Sequence, residues 1–100
     1  MNNDLADVTT LTVYRFIYEY TQKKGFSPSH KEMARGAFIS PTTLLTHLVR
    51  LEAHGWIVRE FNIPRSVRLG EFAPDPEADL FTDLWEAAHT PVDEPLLDEF

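Results

Sequence analysis

Residues 40–57, SPTTLLTHLVRLEAHGWI, decide the fold. Ser40 can accept a hydrogen bond from the free N–H groups of a first helical turn. Pro41 follows where its missing N–H costs little. Leu44, Leu48 and Leu51 recur at spacings of four and three, which makes one ridge of a helix apolar. Gly55 suits the left-handed residue that closes such a helix, and Trp56-Ile57 then starts an extended run. Thr42, Thr43, Leu45, Thr46, His47 and Arg50 are left for the other faces. This is a short helix with an apolar back, a hydroxyl-rich front and one cation.

Working outward toward the N-terminus, FSPSHKEM (residues 26–33) opens another helix. Ser29 is its expected N-cap, and Glu32 follows three residues on, in capping-box position. Met33, Ala34 and Ala37 are its inward residues. Before it, Val13, Phe16, Ile17 and Tyr20 recur with helical period over residues 11–24. Gly25 closes that helix behind Lys23 and Lys24, whose charge suits the negative end of the helix dipole. Residues 1–10 are polar and expected to fray. Tyr14, Tyr18 and Tyr20 are spaced too closely for one buried face, so at least one is expected to reach solvent.

Toward the C-terminus, WIVREF (56–61) and SVRL (66–69) read as strands joined by NIPR (62–65). Ile57, Arg59 and Phe61 face one way, Val58 and Glu60 the other. Pro64 belongs to the turn because it cannot donate to a ladder. Three helices and a hairpin make a mainly α fold with a small β-hairpin, a winged helix-turn-helix over residues 8–70. The remaining residues 71–100 are a separate acidic extension. Within it, EADLFTDLWEAAH (77–89) predicts a further C-terminal helix with Leu80–Leu84 and Phe81–Trp85 at i,i+4.

Charge follows the same division. The chain's net charge is -7, yet all nine Lys and Arg lie at or before Arg68. Residues 1–70 carry six acids and a net +3, while residues 71–100 carry ten acids and no base, a net -10. The first part can approach phosphate and the second repels it. There is no cysteine and no long apolar run, so disulfides, thiolate chemistry, a signal peptide and a membrane span are not expected, and the expected location is cytoplasmic.

Catalysis is not expected either. His30, His47, His54 and His89 offer no i,i+4 pair of the kind a helical zinc site uses. The four serines look like caps and turn residues, and no glycine-rich phosphate loop occurs. No metal or cofactor is expected.

The segments KKGFSPSHKEMA, SPTTLLTHLVRLEAHGWI and REFNIPRSVRL, in that order, resemble the N-terminal DNA-binding domain of the LexA repressor family. The resemblance covers residues 11–69, and the Pro64-Arg65 pair at the wing turn is its most specific feature. It implies operator binding as part of a dimer. In that family a C-terminal serine–lysine peptidase domain supplies dimerisation and self-cleavage. The thirty residues after Gly70 contain neither Ser nor Lys, so self-cleavage is not expected here. Two departures stand out. The family usually has a Gly in the turn between the second and third helices, near the position of Phe38. Leu45 and Thr46 also fall where the family tends to place polar base readers.

The architecture places the third helix in a major groove. Ser40, Thr42 and Thr43 can then meet phosphate at its N-terminus, with Ser40 capping the helix in any case. Leu45, Thr46 and His47 face base edges, and Leu45 can touch only a thymine methyl or a protein surface. Arg50 is the one cation on this helix. Arg59, Arg65 and Arg68 belong to the wing, with Arg65 best placed for a phosphate or the minor groove; solvated strand arginines are the ordinary alternative. Lys31 and Arg35 ride on the second helix, which crosses the backbone. The expected partners are double-stranded DNA and a second copy of the chain.

The tail has three open roles. Leu80, Phe81, Leu84 and Trp85 can form a dimer interface, fold back on the core, or receive a protein partner. A rival reading therefore makes the chain a protein-interaction module, using the acidic tail and the apolar face around Leu45. In one version the tail lies over the wing arginines and screens them.

Overall fold

The computed structural model describes residues 5–60 and 62–89. The PLLDEF segment at the C-terminus and Phe61 lie outside the described residues. The elements run α1 (Val8–Lys24), α2 (His30–Ala37), α3 (Pro41–Ala53), β1 (Ile57–Val58), β2 (Arg68–Leu69) and α4 (Asp79–His89). This is a mainly helical winged helix-turn-helix with one two-stranded antiparallel sheet.

α1 begins three residues earlier than its apolar period suggests. Asp7 caps it by accepting from the Thr10 N–H, and Leu5 is buried, so residues 5–10 are ordered rather than frayed. Leu11, Val13, Tyr14 and Ile17 are fully buried on its inner face, and Gly25 closes it in the left-handed conformation. None of the three tyrosines is strongly exposed, because Tyr18 and Tyr20 lie half-buried against other rings.

α2 starts with the full capping box between Ser29 and Glu32. It ends at Phe38, whose φ of 58° is left-handed, and the Ile39 N–H closes back on the Ala34 carbonyl. The turn thus places Phe38 where the family's glycine is expected. Gly36 has a different duty, since a Cβ there would meet the Phe16 ring at 2.5 Å. It lets α1 and α2 pack closely.

α3 is capped by Ser40 with Pro41 in its first turn, and Leu44, Leu48 and Leu51 are fully buried. After His54 the chain turns through Gly55 at φ 77°, with the Trp56 N–H bonded to the Leu51 carbonyl. β1 and β2 pair only as Ile57 with Leu69 and Val58 with Arg68, shorter than the expected strands. Beyond them the Ser66 hydroxyl takes over, accepting from the Glu60 N–H and donating to the Glu60 carbonyl. The alternation expected past Val58 therefore gives way to loop.

Residues 71–89 pack into the same core as the helices before them. The turn leaves the sheet through Gly70, where a Cβ would stand 2.3 Å from the Gly55 carbonyl oxygen, so only glycine fits. The Tyr14 hydroxyl donates to the Pro74 carbonyl, and α4 settles on α1. Phe81 is fully buried, with its ring 5.9 Å from Tyr14 and 6.4 Å from Trp56. Leu84, Trp85 and Ala88 pack half-buried beside it. The Arg15 guanidinium lies 4.9 Å from the Trp85 ring and 5.5 Å from Phe81, closing the seam.

Candidate nucleic-acid interface

The side of α3 away from the core is built from its sequence period. At about 100° per residue, Thr42, Leu45, Thr46 and Val49 fall on one stripe opposite Leu44, Leu48 and Leu51. All four are exposed. Ser40 and Thr43 stand at its N-terminal end. The Ser40 oxygen accepts from the Thr43 N–H at 3.1 Å and its hydroxyl donates to the Thr43 hydroxyl oxygen at 3.0 Å. Ser40 is therefore a working cap whose outer side is still open to solvent.

His47 and Arg50, expected on this face, belong to another surface. His47 is only 7% exposed and faces α1. Its Nδ1 lies 2.7 Å from the Thr10 hydroxyl oxygen, which also accepts from Arg50 at 3.1 Å. Nδ1 of His47 and the Thr10 hydroxyl thus share a hydrogen bond in a cluster that also holds the Arg50 guanidinium. Burial holds the His47 pKa below the ordinary histidine range; nearby Arg50 adds to this and Asp7 opposes it. Arg50 also reaches Asp7 at 3.1 Å. Burial pushes the Asp7 pKa up, but the Thr10 N–H and Arg50 outweigh it and leave it lowered. The physical reason is the position of the two residues. They flank the leucine ridge on the side where α1 begins, and Asp7 and Thr10 supply their partners. They tie the N-terminus of α1 to α3.

Two of the three wing arginines are also engaged within the chain. Arg65 has a left-handed backbone, φ 55°. Its guanidinium grips both Glu32 carboxylate oxygens at 2.9 and 3.2 Å, donates to the Ser27 carbonyl at 3.0 Å and lies over the Phe26 ring. Arg65 holds the Glu32 pKa down to about 2, helped by the Ser29 N–H. Arg65 thus straps the wing to α2. Arg59 bonds Glu52 of α3 at 3.1 Å. Among the described residues, the exposed cations of α2 and the strands with no ion pair are Lys31, Arg35 and Arg68, and Lys31 lines the groove beside α3.

Between α2, α3 and the wing runs an open groove of about 660 Å³. Leu45 and Ile63 line it on opposite sides, with Lys31 and Arg59 among its polar residues. Asn62, Ile63 and Pro64 form an exposed wing tip without a cation.

The tail residues separate into two groups. Phe81 is enclosed by its own chain, and Leu84 and Trp85 are half-covered by it. Leu80 alone of the four is strongly exposed, at 57%, because it lies about 100° round the helix from Phe81. The packed stripe is 81, 84, 85 and 88. The described part of the tail lies on α1 and does not cover Arg59 or Arg65, whose partners are Glu52 and Glu32.

Three exposed apolar residues of this side did not emerge from sequence reasoning. Val49 is 52% exposed, one turn beyond Leu45; Phe38 is 91% exposed; Ile63 is 54% exposed. Val49 was legible, since it lies about 100° from Leu48 and so off the buried ridge.

Residues 8–66 match the model of the LexA DNA binding domain, more than half of the chain. The chain belongs to the LexA DNA-binding domain family. The LexA repressor of Thermotoga maritima is 41% identical over 59 residues, which cover 59% of this chain and 30% of that protein. That of Oenococcus oeni is 34% identical over 68 residues, 67% of this chain and 32% of the repressor. That of Lactobacillus acidophilus is 30% identical over 70 residues, 69% and 34% respectively. The chain spans about a third of the length of the curated relatives it matches. The LexA-family match ends before α4, so the Phe81 seam belongs to the part of the chain outside it. Among the described residues no helix is long and apolar enough to cross a membrane.

Proposed function

We propose that the chain is a small transcriptional repressor module that binds double-stranded DNA. The exposed side of α3 enters the major groove, and the wing lies against the adjacent backbone or minor groove. One observation carries this reading. In a chain of the LexA DNA-binding family, α3 leaves Thr42, Leu45, Thr46 and Val49 uncovered beside a groove flanked by exposed cations. The mechanism is occupancy of DNA and involves no chemistry on it. One module offers few phosphate contacts, so two copies act together on one site.

The test is fluorescence anisotropy of the full chain against mixed-sequence short duplexes at low and moderate salt, with mass measured on the same sample. Saturable binding by two copies, weakening steeply with salt, is expected. Flat traces at both salt concentrations, from any oligomer, contradict it.

A second reading, a protein-interaction module on the same scaffold, is favoured by one observation. Arg50, Arg59 and Arg65 are each held by a carboxylate of their own chain, while Phe38 and Leu45 are exposed. It predicts that same flat titration.

A further inference from the structure

We propose that α3 selects its DNA site through thymine 5-methyl groups, with Leu45 and Val49 as the principal readers and the Thr42 and Thr46 methyls beside them. The proposal rests on the DNA-binding reading above and names the chemistry that α3 recognises.

The outer stripe of α3 contains no Asn, Gln, Lys or Arg, the side chains that pair bidentately with purine edges. Two polar side chains of α3 are turned to α1 instead: His47 bonds Thr10, and Arg50 bonds Asp7 and Thr10. Glu52, at the far end of the same side, is held by Arg59. Base readout then falls to Leu45 at 44% exposure, Val49 at 52%, and two threonines.

In the major groove only thymine offers an apolar group, its C5 methyl. A leucine set against a guanine or cytosine edge strips water from donors and acceptors and gives nothing back. Set against a thymine methyl, it buries apolar surface from both sides. The same residue therefore favours thymine and disfavours its competitors. From Thr42 to Val49 the stripe is about 10 Å long at 1.5 Å per residue, or about three base steps at 3.4 Å. A short run of A·T pairs carrying two or three thymine methyls is the site that fits. Lys31, which lines the groove, with exposed Arg35 on the same helix and exposed Arg68 on β2, supplies the phosphate contacts that hold the helix there.

The experiment is selection of a duplex from a random-sequence pool, followed by synthesis of the winner with deoxyuridine in place of thymidine across its core. Uracil keeps every hydrogen-bonding group and lacks only the methyl. Binding is compared by anisotropy. Enriched thymine runs and a loss of about fourfold per methyl removed are expected, about fifteenfold for two. Leu45→Ala and Val49→Ala, both surface changes, should bring the thymine-to-uracil ratio toward one, a readout that a merely structural role would not move. Equal binding of the two duplexes by the wild-type chain, or winners without thymine in the core, overturns the methyl reading and leaves DNA binding standing. If no duplex is enriched, DNA binding fails and the methyl reading fails with it.

Discussion

His47 is buried between α3 and α1, with its Nδ1 hydrogen-bonded to the Thr10 hydroxyl beside the Arg50 guanidinium. Acid would put a positive charge on His47 in this buried place beside Arg50. The folded pKa of His47 lies below 6.5, chiefly through burial, so as pH falls the unfolded chain takes up its proton first. The contribution of His47 is complete above pH about 6.5 and is lost as pH falls toward the folded value. The unfolding midpoint should therefore drop between pH 7.5 and 5.5, and the drop should shrink in His47→Leu, as read by circular dichroism. Asp7, lowered from 3.8, loses its contribution only in more acid solution, so the two effects separate. On the DNA side, Glu52→Gln releases Arg59 from its carboxylate. Affinity should rise and the salt dependence steepen by about one phosphate contact per copy, about two for the pair. Unchanged slope would show that Arg59 never reaches the duplex.

Two elements carry the unusual features of the chain. α4 places Phe81 in the core between Tyr14 and Trp56, so Phe81→Ala should cost about 3–5 kcal/mol in a denaturant titration. Leu80→Ala, one residue away and exposed, should cost less than about 0.5 kcal/mol. The turn after α2 holds Phe38 in a left-handed conformation with its ring in solvent, so Phe38→Gly should stabilise the fold by about 1 kcal/mol. The elements themselves were legible because caps and period agreed: Ser29 with Glu32, and Ser40 with Pro41 and the leucine ridge. Two elements were not. The start of α1 depends on the burial of Leu5 and on Asp7 finding Arg50 in α3, which no local pattern carries. The face of α4 was ambiguous because four large apolar residues, 80, 81, 84 and 85, fill more than one stripe, and only contact with α1 decides between them. The candidate site was legible by face and not by residue. Helical period puts Thr42, Leu45 and Thr46 outside, but the burial of His47 and the strapping of Arg65 depend on Thr10 and Glu32, far away in sequence.

For the whole molecule, the charge of the first seventy residues overstates what is available to DNA. Arg50, Arg59 and Arg65 are answered within the chain, which leaves Lys31, Arg35 and Arg68 as the exposed cations of α2 and the strands with no ion pair among the described residues. Two copies then neutralise about six phosphates, and affinity should fall about a thousandfold between 50 and 200 mM salt. A fall of about a hundred-thousandfold would mean that Arg59 and Arg65 exchange their carboxylates for phosphates on binding. The most direct test of the central claim is a chemical-shift titration of the isotopically labelled full chain with a mixed-sequence short duplex. Shifts should concentrate at residues 40–49 and 62–68, with those on the outer side of α4 unmoved. Shifts confined to α4 around Leu80, or none at saturating duplex, would contradict the assignment of α3 and the wing as the DNA-binding face.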